Sequence, residues 1–179
     1  MNRLAKVYAQ ALYSLGSEEK LEEVILSQME MLQDAFSKEP AFLQLLAAPN
    51  IPKGERCDIL DNSFRDGVQP YLLNFLKILT EKGHIRSFSD CCKAYREIYD
   101  REHGIVPVCA VTAVPLTGEQ IHRLTQKLEK ITGKNVRLMN RIDPACLGGV
   151  RLDYDGKRVD GTVQNRLKTI HTMLENTVL

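Results

Sequence analysis

The chain has 179 residues, 44% of them apolar and 26% charged, with a formal net charge of +1, a composition that can bury one large or two small cores. Residues 1–104 carry 13 Lys/Arg against 16 Asp/Glu and residues 105–179 carry 11 against 7, neither close to the clustered basic footprint of a phosphate-binding protein. No run approaches the ~18 apolar residues needed to cross a bilayer, and Met1-Asn2-Arg3 leads into amphipathic sequence without a signal-peptide core, so a cytoplasmic protein with no direct membrane insertion is expected, any membrane attachment being through partners.

Along residues 4–15, Leu4, Val7, Tyr8, Ala11, Leu12 and Leu15 recur at helical spacing, with Lys6 and Gln10 on the other side. Gly16 is expected to end this first helix. A second is expected from about Glu18 to Phe36, opening with acidic residues that suit the positive end of its dipole. Pro40 and Pro52 stand where a first helical turn tolerates a missing N–H, predicting short helices over roughly 40–48 and 52–65. Residues 70–82 form a fifth helix whose wide apolar face (Leu72, Leu73, Phe75, Leu76, Ile78, Leu79) one neighbour cannot cover. A sixth runs from Ile85 to Gly104. Six helices on short links imply an antiparallel bundle.

After Gly104 the period changes. Ile105–Val114 is Val-rich and uncharged, as a strand covered on both faces is, and Pro115 ends it. Thr117-Gly-Glu-Gln120 has the capping-box spacing and opens a helix bearing Ile121, Leu124, Leu128 and Ile131. Gly133 stops that helix. In Asn135–Ile142, Val136, Leu138 and Ile142 alternate against Arg137, Met139 and Arg141 as in a half-buried strand. A strand with Val150, Leu152 and Tyr154 inward reaches Asp155-Gly156, a hairpin signal, returns over Lys157–Val159 and gives way to a last helix from Thr162 to about Asn176. The fold class is therefore α+β: an N-terminal helical bundle domain over 1–104, then a small C-terminal α/β domain over 105–179 with a short sheet and two helices.

The motifs carry little chemistry. Cys57, Cys91, Cys92, Cys109 and Cys146 contain no CxxC pair and read as reduced thiols. Thr132-Gly133-Lys134 lacks the upstream glycine of a phosphate loop, and Gly148-Gly149 opens a strand instead of a strand-to-helix turn. The four histidines occur singly, and Glu119-x-x-His122 is one copy of a spacing that di-metal bundles use twice. No serine stands in a nucleophile elbow. No catalytic residue, metal or cofactor is expected. The informative feature is apolar excess in the bundle: on the first helix Tyr8 and Ala11 stand beside a Leu4/Val7/Leu15 seam, and the fifth helix is broadly apolar. Either both helices are central in the bundle, or they leave a groove for a partner's amphipathic helix; periodicity admits both.

The segment from Ile142 to Ile170 resembles the C-terminal signature of the ATP synthase delta subunit and oligomycin-sensitivity conferring protein family. The match comprises Gly148-Gly149, an alternating strand, a turn, Asp160-Gly161-Thr162, then Arg166-Leu167. Val7-Tyr8-Ala9-Gln10-Ala11-Leu12 is similar to the family's first helix, and the Pro49/Pro52 link and Glu81-Lys82-Gly83 agree. The family often has Ser at the position of Thr162, and either hydroxyl can cap a helix. The signature residues have structural explanations: Gly148 and Gly149 permit close backbone approach, and Asp160 or Thr162 can cap the last helix. The resemblance implies a non-catalytic peripheral-stalk subunit of an F-type ATP synthase, one copy per complex, at the cytoplasmic face of the cell membrane. Its helical domain would grip the N-terminal helix of an alpha subunit through Tyr8, Ala11, Phe75, Ile78 and Leu79, taken as outward-leaning, and its C-terminal domain would hold the C-terminal ends of the b subunits. The competing reading is an RNA-associated helical adaptor, distinguished by salt-dependent RNA retention.

Overall fold

The structure, a computed structural model, describes residues 3–154 and 156–165. It is α+β and divides into two compact units, Met1–Tyr99 and Asp100–Leu179.

The first unit is helical: α1 (Arg3–Glu18), α2 (Glu22–Lys38), α3 (Pro40–Leu46), α4 (Lys53–Phe64), α5 (Pro70–Glu81), a 3-10 turn (Ile85–Ser87) and α6 (Phe88–Glu102), whose last turn belongs to the second unit. Pro40 and Pro70 each open a helix in its first turn, where the ring's fixed φ costs nothing. Phe36 organises one end of the core. It stacks on Phe42 at 5.8 Å and meets Phe64 and Phe88 edge-on at 6.2 and 5.3 Å, joining α2, α3, α4 and α6 in the geometry aromatic quadrupoles favour. Arg56, buried on α4, donates from Nη1 to the Leu46 carbonyl at 2.9 Å, supplying a donor to the end of α3 that its own backbone lacks.

Two expectations for α1 are corrected. Gly16 lies inside the helix and is buried. A Cβ there would stand 3.0 Å from Ile25 Cδ1 and 3.1 Å from Tyr95 Oη, so the position needs glycine for close packing. The chain turns four residues later, where Lys20 takes φ 57° and Leu21 N–H bonds the Gly16 carbonyl at 2.7 Å; α2 accordingly begins at Glu22 and not at Glu18. The buried face of α1 is also rotated from the expected seam. It consists of Ala5, Ala9, Leu12, Tyr13 and Gly16, while Val7 and Leu15 are 65% and 48% exposed. Small residues let the backbone come close to its neighbours, and that close contact outweighs the burial of two larger side chains elsewhere on the helix.

The second unit contains β1 (Ile105–Thr112), α7 (Gly118–Thr132), β2 (Asn135–Ile142), a 3-10 turn (Pro144–Cys146), β3 (Val150–Tyr154) and β4 (Lys157–Asp160). The sheet order is β2-β1-β3-β4. β1 and β2 run parallel, from Ile105↔Asn135 to Thr112↔Ile142, and the other two pairings are antiparallel, so α7 is the crossover a parallel pair requires. The capping box forms as expected: Gln120 N–H donates to Thr117 Oγ1 and Thr117 N–H to Gln120 Oε1. Gly133, at φ 66°, closes the helix. Val108, Leu128 and Val136 form the buried centre of this smaller core, with Leu124, Leu138 and Leu152 against it.

Two details differ from the sequence pattern. β1 ends at Thr112, two residues early, where the Thr112 hydroxyl donates to the Val114 carbonyl at 2.7 Å after a last bond to β2's end, from Asp143 N–H to the Thr112 carbonyl at 2.8 Å. Ile142, expected inward, is 52% exposed; the row it would continue is taken over by Asn140, whose amide donates to the Ala110 carbonyl and Thr112 Oγ1 and accepts from Leu116 N–H. Within the same unit, Arg137 on β2 makes a bidentate pair with Asp100, Nη1 to Oδ1 at 2.6 Å, and Asp100 is 5% exposed.

Candidate functional site

α1 and α5 are in contact, and Tyr8 marks where they meet. Its ring lies edge-on to Phe75 at 6.2 Å and 6.3 Å from the His84 ring. Phe75 and Leu79 are 6% and 0% exposed and form the floor with half-buried Tyr8, whereas Ile78 is 45% exposed. On α1 the exposed apolar residues are Val7, Ala11 and Leu15. Beside them Arg3, Leu4, Val7 and Tyr8 line an open depression of about 550 Å³. The five residues expected at the surface therefore split: Ala11 and Ile78 are there, Tyr8 is half-buried, and Phe75 and Leu79 belong to the core, on the part of α5 turned away from the row of exposed Asn74 and Ile78. Val7 and Leu15, which the spacing puts in a seam, are exposed, and Val7 lines the depression. The signal that could have found them is the Ala5/Ala9/Gly16 row, which marks the true packing face.

The signature residues of the second unit bond to one another. Gly149 has φ 79°, and a Cβ there would fall 2.6 Å from the Gly161 carbonyl oxygen; only glycine meets both conditions. Gly161 N–H donates to the Val150 carbonyl and Val163 N–H to the Gly148 carbonyl, each at 3.0 Å. The Thr162 hydroxyl donates to Asp160 Oδ1 at 2.7 Å and accepts from Asn165 N–H at 3.2 Å, so Thr162 is the cap and Asp160 orients it. The Thr162 hydroxyl and then its backbone N–H hold the Asp160 carboxyl below the ordinary carboxylate range. Thr162 is 3% exposed. Arg166 and Leu167 lie outside the described residues.

Among the described residues no three His, Cys, Asp or Glu side chains gather to hold a metal. Burial, with the Asp90 charge adding to it, pushes the Cys91 thiol up to about 11, and burial raises Cys92 as well. The described residues thus comprise a helical unit with an open, largely apolar depression on its surface, followed by an α/β unit whose signature polar groups bond to one another.

The chain matches the family described as ATP synthase delta (OSCP) subunit over residues 4–174. It is 36% identical over 171 residues to ATP synthase subunit delta of Alkaliphilus oremlandii (strain OhILAs), covering 96% of this chain and 95% of that one. It is 31% identical over 179 residues to the subunit of the same name from Clostridioides difficile (strain 630), covering 99% of each. In fold it is similar to a chain of the cryo-EM structure of Toxoplasma gondii mitochondrial ATP synthase hexamer, with a TM-score of 0.73 and 20% identity over 97% of this chain and 98% of that chain. The protein belongs to the ATP synthase delta (OSCP) subunit family and is a non-catalytic subunit of the peripheral stalk. The RNA-associated reading finds no support among these relatives.

Proposed function

We propose that the α1/α5 groove is where this subunit grips the catalytic head, by receiving the N-terminal helix of an alpha subunit, and that the C-terminal domain, residues 105–179, holds the C-terminal ends of the b subunits. The observation that carries the first part is the exposed apolar set Val7, Ala11, Leu15 and Ile78 over a floor of Tyr8, Phe75 and Leu79, a helix-in-groove surface. In this reading residues 1–104 form a six-helix antiparallel bundle that resists deformation. The subunit, one copy per complex, then opposes rotor torque so that rotation drives conformational change in the head instead of turning it. Contacts at two places make modest individual affinities sufficient. No helix among the described residues is long and apolar enough to cross a membrane; the proposed location is the cytoplasmic face of the cell membrane, reached through the complex. The test is calorimetric titration of the full chain with a synthetic peptide of the cognate alpha subunit's N-terminal segment at two salt concentrations. Saturable one-to-one binding with a negative heat-capacity change supports an apolar groove. Absence of binding to the folded protein at either salt overturns it.

A further inference from the structure

We infer that the groove accepts its partner helix in one charge register: an amphipathic helix of about four turns whose acidic end lies at Arg3 and whose basic end lies at Glu18. The inference rests on the reading of the groove as the head-binding surface and specifies the chemistry of its occupant.

The exposed stripe of α1 runs through Val7, Ala11 and Leu15 and is uncharged along that length. Its two ends are not. Arg3 borders the depression at the N-terminal end, and Glu18, seven residues after Ala11, continues the stripe at the C-terminal end. Both side chains are exposed, and neither has a hydrogen-bond or ion-pair partner among the described residues. Each also stands at the helix end where its charge is locally unfavourable: the first turn of α1 contains no acid and the last no base, the reverse of what the helix dipole favours. Local rules broken at two exposed positions on one stripe point to a charge supplied from outside. The backbone poles of α1 have the same signs as these side chains, positive at Arg3 and negative at Glu18. His84 lies against Tyr8, which brings the C-terminal end of α5 beside the N-terminal half of α1; its exposed Glu81 and Lys82 offset one another there, so the asymmetry is that of α1.

Arg3 and Glu18 are fifteen residues apart, roughly 22 Å along the axis, which sets the length of the occupant. An occupant with acid at its N-terminus and base at its C-terminus complements its own dipole and in this register runs parallel to α1.

The experiment uses the full chain and two designed peptides of about 16 residues with the same apolar stripe and the same composition. One has glutamates at the N-terminal end and lysines at the C-terminal end; the other has the ends exchanged. The first is expected to bind about tenfold more tightly at low salt, with the difference shrinking as salt screens it. The double variant Arg3→Glu/Glu18→Lys, altered only at exposed positions, is expected to invert the order, which separates complementarity from the peptides' own helicity. Equal binding of both peptides overturns the parallel register, since the exchanged peptide matches the same charges only by reversing direction, and the same order in wild type and variant overturns charge complementarity, each while leaving the groove in place. Failure of both peptides and of the alpha-subunit segment to bind overturns the groove reading as well.

Discussion

Thr162 and Gly149 show how a signature can be conspicuous without being catalytic. Thr162 closes a circuit from Asp160 to Asn165, so Thr162→Ala should lose about 1 kcal/mol, as cap removals do, while Thr162→Ser should retain most of it; urea unfolding of the two variants compares them. Gly149→Ala should cost more, because both a positive φ and a Cβ 2.6 Å from a carbonyl oxygen stand against it. The Asp160 carboxyl is held below its unfolded value, so its contribution to stability is full above the unfolded pKa, ~3.9, and is lost as pH falls through the folded one. Asp160→Asn should flatten the acid side of the stability profile measured by thermal melts from pH 2 to 6. The cysteines are expected to divide by burial: Cys91 and Cys92 should resist a thiol reagent in the native protein and react on unfolding, and half-buried Cys57 and Cys109 should react first.

At the scale of elements, α5 separates floor from rim within one helical turn. Ile78→Asp should leave the fold intact and weaken binding of the head segment, whereas Leu79→Asp, one residue on, should unfold the bundle, because a carboxylate would enter a position with 0% exposure. Circular dichroism and the same calorimetric titration read the two outcomes apart. Much of the element order was legible because its punctuation is local chemistry: prolines at helix starts, the Thr117–Gln120 box and Gly133. The facing of α1 was not. Hydropathy ranks Val7 and Leu15 above Ala5, Ala9 and Gly16, yet how closely two backbones approach depends on the partner helices, which no window of one helix contains. Ile142 was misjudged for a related reason, since alternation registers apolar character and is blind to an Asn140 with all its bonds made within the sheet.

For the whole molecule, the two units differ in what can form before distant residues meet. Each helix of the first unit closes its backbone hydrogen bonds within itself, although its core joins residues as far apart as Phe36 and Phe88. The sheet is built on a parallel pairing in which Ile105 meets Asn135, with all of α7 intervening. A chain leaving the ribosome must therefore present β1, flanked by unmet hydrogen-bonding edges, for the time needed to synthesise the next thirty or so residues before its first neighbour exists, and the ladder returns nothing until that loop has closed. Refolding followed by pulsed hydrogen exchange should accordingly protect amides of α2 and α5 ahead of those of β1, and the interval in which β1 waits is when this subunit is most exposed to pairing with another copy of itself.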